Sequence, residues 1–129
     1  MIRQDWPVIA KRLNFLKDYG RLPNRYVCAS LPETPFADQE FSIVLVSYFL
    51  FLYDDLFSYE FHKRSALEAA RIAQKEVRIY PLTNLRAEKS VFVERLRQDP
   101  ECAGLRFDLL KSDFEFFKNS NELLIIRRA

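Results

Sequence analysis

The most apolar stretch of the chain is FSIVLVSYFLFLYDDLF, residues 41–57, which ends next to two aspartates. Its core, Ile43 to Tyr53, contains Ser47 and is well short of the roughly 20 residues that a membrane-spanning helix needs. The run Ile43-Val44-Leu45-Val46 is typical of a strand that is buried on both faces, because helices cover both sides of a parallel sheet. We therefore predict a buried strand here, with residues 49–53 turning away from its end.

Composition indicates an ordinary globular chain. The 129 residues suit one domain, 1–129, and 49% are hydrophobic while 29% are charged. A net charge of +2 argues against a nucleic-acid or membrane surface. The basic pair Arg127-Arg128 is expected to be a solvated tail. Cys28 and Cys102 form no CxxC pair, so no metal site is predicted. The N-terminus lacks the continuous apolar core of a signal peptide, and a cytoplasmic location is expected.

Local signals predict the remaining elements. Serines at 58 and 90 are suitable N-caps, and Pro32 and Pro35 mark residues 31–40 as a loop. Periodicity and turn residues set the other boundaries. The predicted helices are 5–19, 58–74 and 90–97, and the predicted further strands are 26–29, 76–80, 105–110 and 122–126.

This alternation of helices and strands predicts an α/β fold. We expect a mostly parallel sheet with helices on both faces and an antiparallel hairpin at the C-terminus.

Three segments carry a resemblance to a known family. They are LPETPFADQEFSIVLVSYFLFLY (31–53), EFHKRSALEAARIAQKEVRIYPL (60–82) and LRFDLLKSDFEFFKNSNELLIIRR (105–128). Together they resemble the C-terminal half of a class I S-adenosylmethionine-dependent methyltransferase, which has a Rossmann-like sheet. The resemblance assigns them to the fourth strand, to a helix with the fifth strand, and to the sixth and seventh strands of that fold.

The family's donor-binding turn has no counterpart in this chain. In that family a glycine-rich turn after the first strand lets the backbone approach S-adenosylmethionine, and an acidic residue after the second strand binds the ribose. This chain has two glycines, Gly20 and Gly104, and neither follows a predicted strand. The resemblance therefore implies a partial donor site at best.

The resemblance also implies where cofactor contacts would lie. Ser30 stands near the position of an adenine-binding aspartate, and Ser42 replaces an aspartate of the family pattern. Ser47 and Tyr48 end the fourth strand, where cofactor and substrate would meet. We take Ser30, Ser47 and Tyr48 as candidate cofactor-binding residues and assign no catalytic residue.

The missing first strand implies a packing problem. In the family this strand lies beside the fourth, so the segment Ile43 to Tyr48 would have an unpaired apolar edge that invites another chain. Either Tyr26 to Ala29 pairs with it, or a second copy in a homodimer or a partner subunit covers it.

Two functional hypotheses follow. The chain is a methyltransferase-like half domain that is active only when another polypeptide supplies the donor-binding strands, or it is a non-catalytic interaction or scaffold module derived from that fold. A piece of a split reading frame is a third interpretation.

Other residues that carry reactive groups have simpler interpretations. His62 is the only histidine and is expected on a helix surface or half-buried, without a nucleophile at a recognisable spacing. Asp54-Asp55 is a weak magnesium signal and more typical of a loop. The phenylalanines at 114, 116 and 117 alternate with acidic residues, which predicts a strand with one buried face; the alternative is that they line a pocket for an apolar substrate.

Overall fold

The computed structural model describes residues 27–115 and 118–129. The predicted helix 5–19 lies outside the described residues, as do Tyr26, Phe116 and Phe117.

The described chain contains four strands, two α-helices and one short 3₁₀ helix. In chain order they are β1 (Phe41–Ser47), α1 (Tyr59–Ile72), β2 (Ala73–Tyr80), α2 (Val91–Gln98), the 3₁₀ helix Pro100–Cys102, β3 (Leu105–Lys111) and β4 (Glu122–Arg128). Each α-helix and strand lies at a predicted place, although α1 ends and β2 begins a few residues earlier than predicted, whereas the 3₁₀ helix was not predicted. The predicted strand 26–29 is wrong for residues 27–29, which have no strand structure.

The strands form one open sheet in the order β1-β2-β4-β3. β1 and β2 run parallel, whereas β4 is antiparallel to both β2 and β3. The fold of the described residues is therefore α/β with a mixed sheet, and the predicted C-terminal hairpin is confirmed. The mostly parallel arrangement is not confirmed, because one of the three strand pairings is parallel.

One face of the sheet forms the core. Val44 and Val46 of β1 lie in register with Val77 and Ile79 of β2, and these side chains belong to one apolar cluster to which both α1 and α2 contribute. Helices on both faces are not seen in residues 27–115 and 118–129. The close packing of α1 on the sheet follows from its small residues, Ala66, Ala69 and Ala70, which are buried.

The opposite face of β1 is not covered by any element of residues 27–115 and 118–129. Ile43 is 41% exposed and Leu45 is 69% exposed, and their side chains point away from the core because side chains alternate along a strand. We call this side of the sheet the second face. The prediction that β1 is buried on both faces is therefore wrong for the described chain, since α1 covers only one of them.

The predicted loop before β1 is held on the flank of α1. The amide and hydroxyl of Thr34 donate to Glu68 Oε2 at 2.8 and 2.5 Å. Arg71 donates to Asp38 Oδ1 and to the carbonyl of Phe36, both at 2.7 Å. Hydrogen bonds from Arg71 lower the pKa of the Glu68 carboxyl to about 2, so this anchor is charged at any ordinary pH.

The C-terminal arginines are part of the fold, so the solvated tail predicted for them is wrong. The Arg128 guanidinium donates at 2.6–2.8 Å to three carbonyl oxygens near the end of α1, those of Ala70, Ala73 and Gln74. Carbonyls at a helix C-terminus have no intrahelical partner, so this arginine supplies their missing donors. Arg127 forms an ion pair with the buried Glu76 of β2 at 3.0 Å.

The start of α1 is fixed by the predicted cap. Ser58 Oγ accepts the backbone N–H of Phe61 at 3.1 Å, and Glu60 lies in the first turn, where a negative charge interacts favourably with the helix dipole.

Removing this cap should destabilise the protein. We expect Ser58→Ala to lower the free energy of unfolding by about 1 kcal/mol in urea titrations, because the N–H of Phe61 loses its acceptor. Ser58→Asn retains a capping oxygen and should cost less than half as much. Equal losses in the two variants would show that the cap does not fix the start of α1.

Candidate functional site

The carboxyl ends of β1 and β2 meet at one edge of the sheet. Ser47 and Tyr80 are register partners, and the backbone N–H of Tyr48 donates to the carbonyl of Tyr80 at 2.8 Å. Ser47 is exposed and Tyr48 is 40% exposed. Ligands of open α/β sheets bind at such an edge, so it is the candidate site.

The chain turns sharply as it leaves β1. Tyr48 and Phe51 have left-handed backbone conformations, with φ of 57° and 71°, which are uncommon for residues other than glycine. The turn sends Leu50 and Phe51 into the core, where both are fully buried, while Tyr48 stays at the sheet edge. The predicted turn at residues 49–53 is confirmed, and strained backbone of this kind often occurs at functional sites.

Aromatic rings extend the site along the edge. The Tyr48 and Tyr80 rings meet edge to face at 5.7 Å between centroids, and the Tyr80 ring lies 6.2 Å from that of Phe114. The Tyr80 hydroxyl donates to the carbonyl of Ser120 at 2.6 Å, which ties the strand end to the segment before β4. Phe114 is 55% exposed and lies outside any strand, so the strand predicted around it is wrong for residues 113–115.

The turn after β2 is organised by Asn84. Its Oδ1 accepts the backbone N–H groups of Arg86 and Glu88, and its Nδ2 donates to Asp54 Oδ2 at 3.1 Å. Asp54 is thus a hydrogen-bond partner of the neighbouring turn. Close by in sequence, the Thr83 hydroxyl is buried and has no hydrogen-bond partner among the described residues.

Residues 27–115 and 118–129 contain no group of three or more His, Cys, Asp or Glu side chains placed to hold a metal ion.

His62 is a buried structural residue. Its side chain is 0% exposed, in contrast to the predicted surface or half-buried position. Nε2 accepts the backbone N–H of Phe51 at 2.9 Å, and Nδ1 lies 2.9 Å from the carbonyl of Ser58. A carbonyl only accepts and an amide N–H only donates, so the proton is on Nδ1 of a neutral ring. Burial lowers the pKa of this imidazole.

This geometry predicts a pH-dependent stability. Because the folded-state pKa of His62 lies below its unfolded value, the unfolded chain binds the proton first as pH falls. The stability that the neutral His62 side chain contributes is complete above about pH 6.5 and is lost as pH falls further. We expect urea unfolding from about pH 7.5 to about pH 5.5 to show a stability loss in the wild type that is smaller in His62→Gln. Gln offers a similar acceptor and donor but does not titrate. Equal losses would contradict the assignment.

A second polar cluster lies in an open groove of about 370 Å³ between α1 and α2. Lys63 is 6% exposed and pairs with Glu101 at 2.5 Å, Glu60 at 3.3 Å and Asp99 at 3.6 Å. The Tyr59 hydroxyl donates to Asp99 Oδ2 at 2.5 Å. The hydrogen bond to Glu101 raises the pKa of Lys63, so this amine stays charged at neutral pH. The cluster ties the two helices together.

Two of the three predicted cofactor residues lie together. Ser47 and Tyr48 share the candidate edge, whereas Ser30 lies in the loop before β1, where it forms a bridge with Glu33. Ser42 is the second residue of β1, at the far end of the strand from Ser47.

Sequence reasoning missed the contribution of Tyr80 and Asn84. The signal for Tyr80 was present, because a residue that ends a parallel strand before Pro81 must share an edge with the end of β1. Asn84 acts through a turn and gives no comparable signal.

In the described ranges no helix is both long and apolar enough to cross a membrane.

Comparison with known proteins finds an uncharacterized archaeal relative. No protein-family model and no solved structure gives a significant match to the chain. The chain is 42% identical over 114 residues to MJ0045, an uncharacterized protein of Methanocaldococcus jannaschii. The match covers 88% of this chain and 49% of that protein, so the chain spans about half the length of its relative.

Proposed function

We propose that this chain is one half of an S-adenosylmethionine-dependent methyltransferase and binds the donor only when a second polypeptide supplies the strands with the glycine-rich turn. The chain would contribute the sheet edge where donor and methyl acceptor meet. The observation that carries the proposal is that β1 is an edge strand among the described residues, in a chain that matches only half of a longer relative.

The sheet arrangement supports this proposal. The resemblance assigns β1 to the fourth strand of the methyltransferase fold and expects the first strand beside it. β1 lies at the end of the sheet, with β2 as its neighbour on one side. The antiparallel hairpin of β3 and β4 stands where the resemblance expects the sixth and seventh strands.

The chemistry of the strand ends supports it as well. S-adenosylmethionine carries a positive sulfonium, and the half-exposed Tyr48 ring offers an aromatic face or edge next to the Ser47 hydroxyl. A cation near an aromatic face is stabilised by the ring quadrupole. Ser30 would be the third donor contact, reached from the loop before β1.

Donor binding tests the proposal directly. We expect the full-length M. jannaschii relative to bind S-adenosylhomocysteine in isothermal titration with a Kd on the order of 10 μM. The isolated chain should show no binding up to roughly 1 mM ligand, because the glycine-rich turn is missing. Co-expression with the half of the relative that the match leaves out should restore binding.

Two outcomes would overturn the proposal. Micromolar binding by the isolated chain would show that no second polypeptide is needed. A lack of binding by the full-length relative would remove the methyltransferase assignment and favour the non-catalytic scaffold.

The role of Tyr48 has its own test in the co-expressed complex. We expect Tyr48→Ala to weaken S-adenosylmethionine binding by roughly 5-fold, corresponding to a cation–π contribution of about 1 kcal/mol. S-adenosylhomocysteine has no sulfonium charge and should lose less. Tyr48→Phe keeps the ring and should bind both ligands like the wild type. An equal loss for both ligands would exclude a contact with the sulfonium.

A further inference from the structure

The second face of β1 is apolar, whereas β2 beside it carries charged side chains on that face. Ile43 and Leu45 lie in register with Glu76 and Arg78 of β2, which form an ion pair, and these four side chains share the second face. Further along the face, Arg127 pairs with Asp108 of β3. These charged groups satisfy one another, so on the part of the second face formed by β1 and β2 the side chains that gain most from being covered are those of β1.

The backbone of β1 is open along the same side. The bond from the Tyr48 N–H to the Tyr80 carbonyl fixes which residues face β2. Because backbone groups alternate along a parallel strand, Val46 also faces β2, while Ile43, Leu45 and Ser47 direct their N–H and C=O groups to the outer edge. In the described part of the chain, β2 is the one strand that pairs with β1.

A second copy of this chain does not both pair the outer backbone edge of β1 and cover its apolar second face. In a closed two-fold dimer joined through the outer edges, the β1 strands run antiparallel and the second faces stay bare. A dimer joined through the second faces would bury Ile43 and Leu45 but leave the outer edges unpaired. An occupant that covers both contributes a strand to the outer edge and an apolar element to the second face.

The handedness of crossovers indicates which strand and helix fit. β1 and β2 are parallel and α1 connects them on the core face. Parallel crossovers are right-handed, so two parallel strands that extend the sheet outward from β1 carry their connecting helix on the opposite face. That helix would lie on the face of the sheet that holds Ile43 and Leu45.

We infer that β1 is the docking site of a separate polypeptide, which adds a strand parallel to β1 along its outer edge and packs an apolar helix on the second face. The half of the relative that the match leaves out is a partner of suitable size. The inference rests on the part of the proposed function that requires a second polypeptide, and its test contains no methyl donor.

The experiment measures co-purification of the full-length chain with a tagged copy of the unmatched half of the relative, both expressed in one cell. We expect a stoichiometric complex for the wild type. Leu45→Glu should lower the recovered partner by at least about 10-fold, because it places a charge under the docked helix. Ile43→Lys should act in the same way. The glutamate at position 45 would lie opposite Arg78, and the lysine at position 43 opposite Glu76. Because opposite charges on neighbouring strands attract, the isolated variants should keep the wild-type urea midpoint.

Leu110→Glu is the matched control. Leu110 is 48% exposed and lies on the second face at the other end of the sheet, on β3, so this variant should recover the partner like the wild type. Equal recovery with Leu45→Glu and with the wild type would overturn the inference, as would equal loss with Leu110→Glu. No complex with the wild type, or a dimer of the chain alone that Leu45→Glu dissociates, would also overturn it. A complex that forms but binds no donor would leave the docking intact and overturn the methyltransferase proposal.

Discussion

The structure depends on one parallel strand pair and the helix that joins it. β1 and β2 have parallel register from Ile43 to Ser47, and α1 runs directly into β2 without a loop between them. This unit buries a single face, so the core consists of the side chains between the sheet and α1, with α2 and the hairpin completing it. The contacts that hold the ends of α1 serve the same purpose: Ser58 caps its start and Arg128 supplies donors at its end.

The parallel pair at the end of the sheet determines both the candidate site and the open edge of the described sheet. The same geometry that gathers Ser47, Tyr48 and Tyr80 at one edge leaves the outer side of β1 without backbone partners in the described chain. A long apolar edge is a liability for a protein that acts alone, and proteins commonly blunt such edges with charged residues, proline or a covering element. β1 has no charged residue and no proline between residues 41 and 47. The candidate ligand site and the proposed docking site are therefore two properties of the same strand.

Local sequence signals predicted most of the helices and strands, but they did not predict the contacts between residues far apart in the sequence. Capping serines, the branched run at 43–46 and Pro81 act within a few residues, so the boundaries of β1, α1, β2 and α2 were close to prediction. The prediction that β1 is buried on both faces was wrong for the described chain. The sequence pattern of an apolar strand is the same whether its second face is covered by its own chain or by another. Arg128 bonds Ala70 across 58 residues, and His62 reaches Phe51 through a left-handed turn. Such contacts depend on tertiary structure and have no local signature.

The open edge of β1 is tested most directly by amide hydrogen exchange, resolved residue by residue with NMR. In the isolated chain we expect the Leu45 amide, which faces outward, to exchange at least about 100-fold faster than the Val46 amide, which faces β2. In the complex with the second polypeptide both should be slow. Equal protection of Leu45 and Val46 in the isolated, monomeric chain would contradict the central claim, because it would mean that this chain already pairs the outer edge of β1.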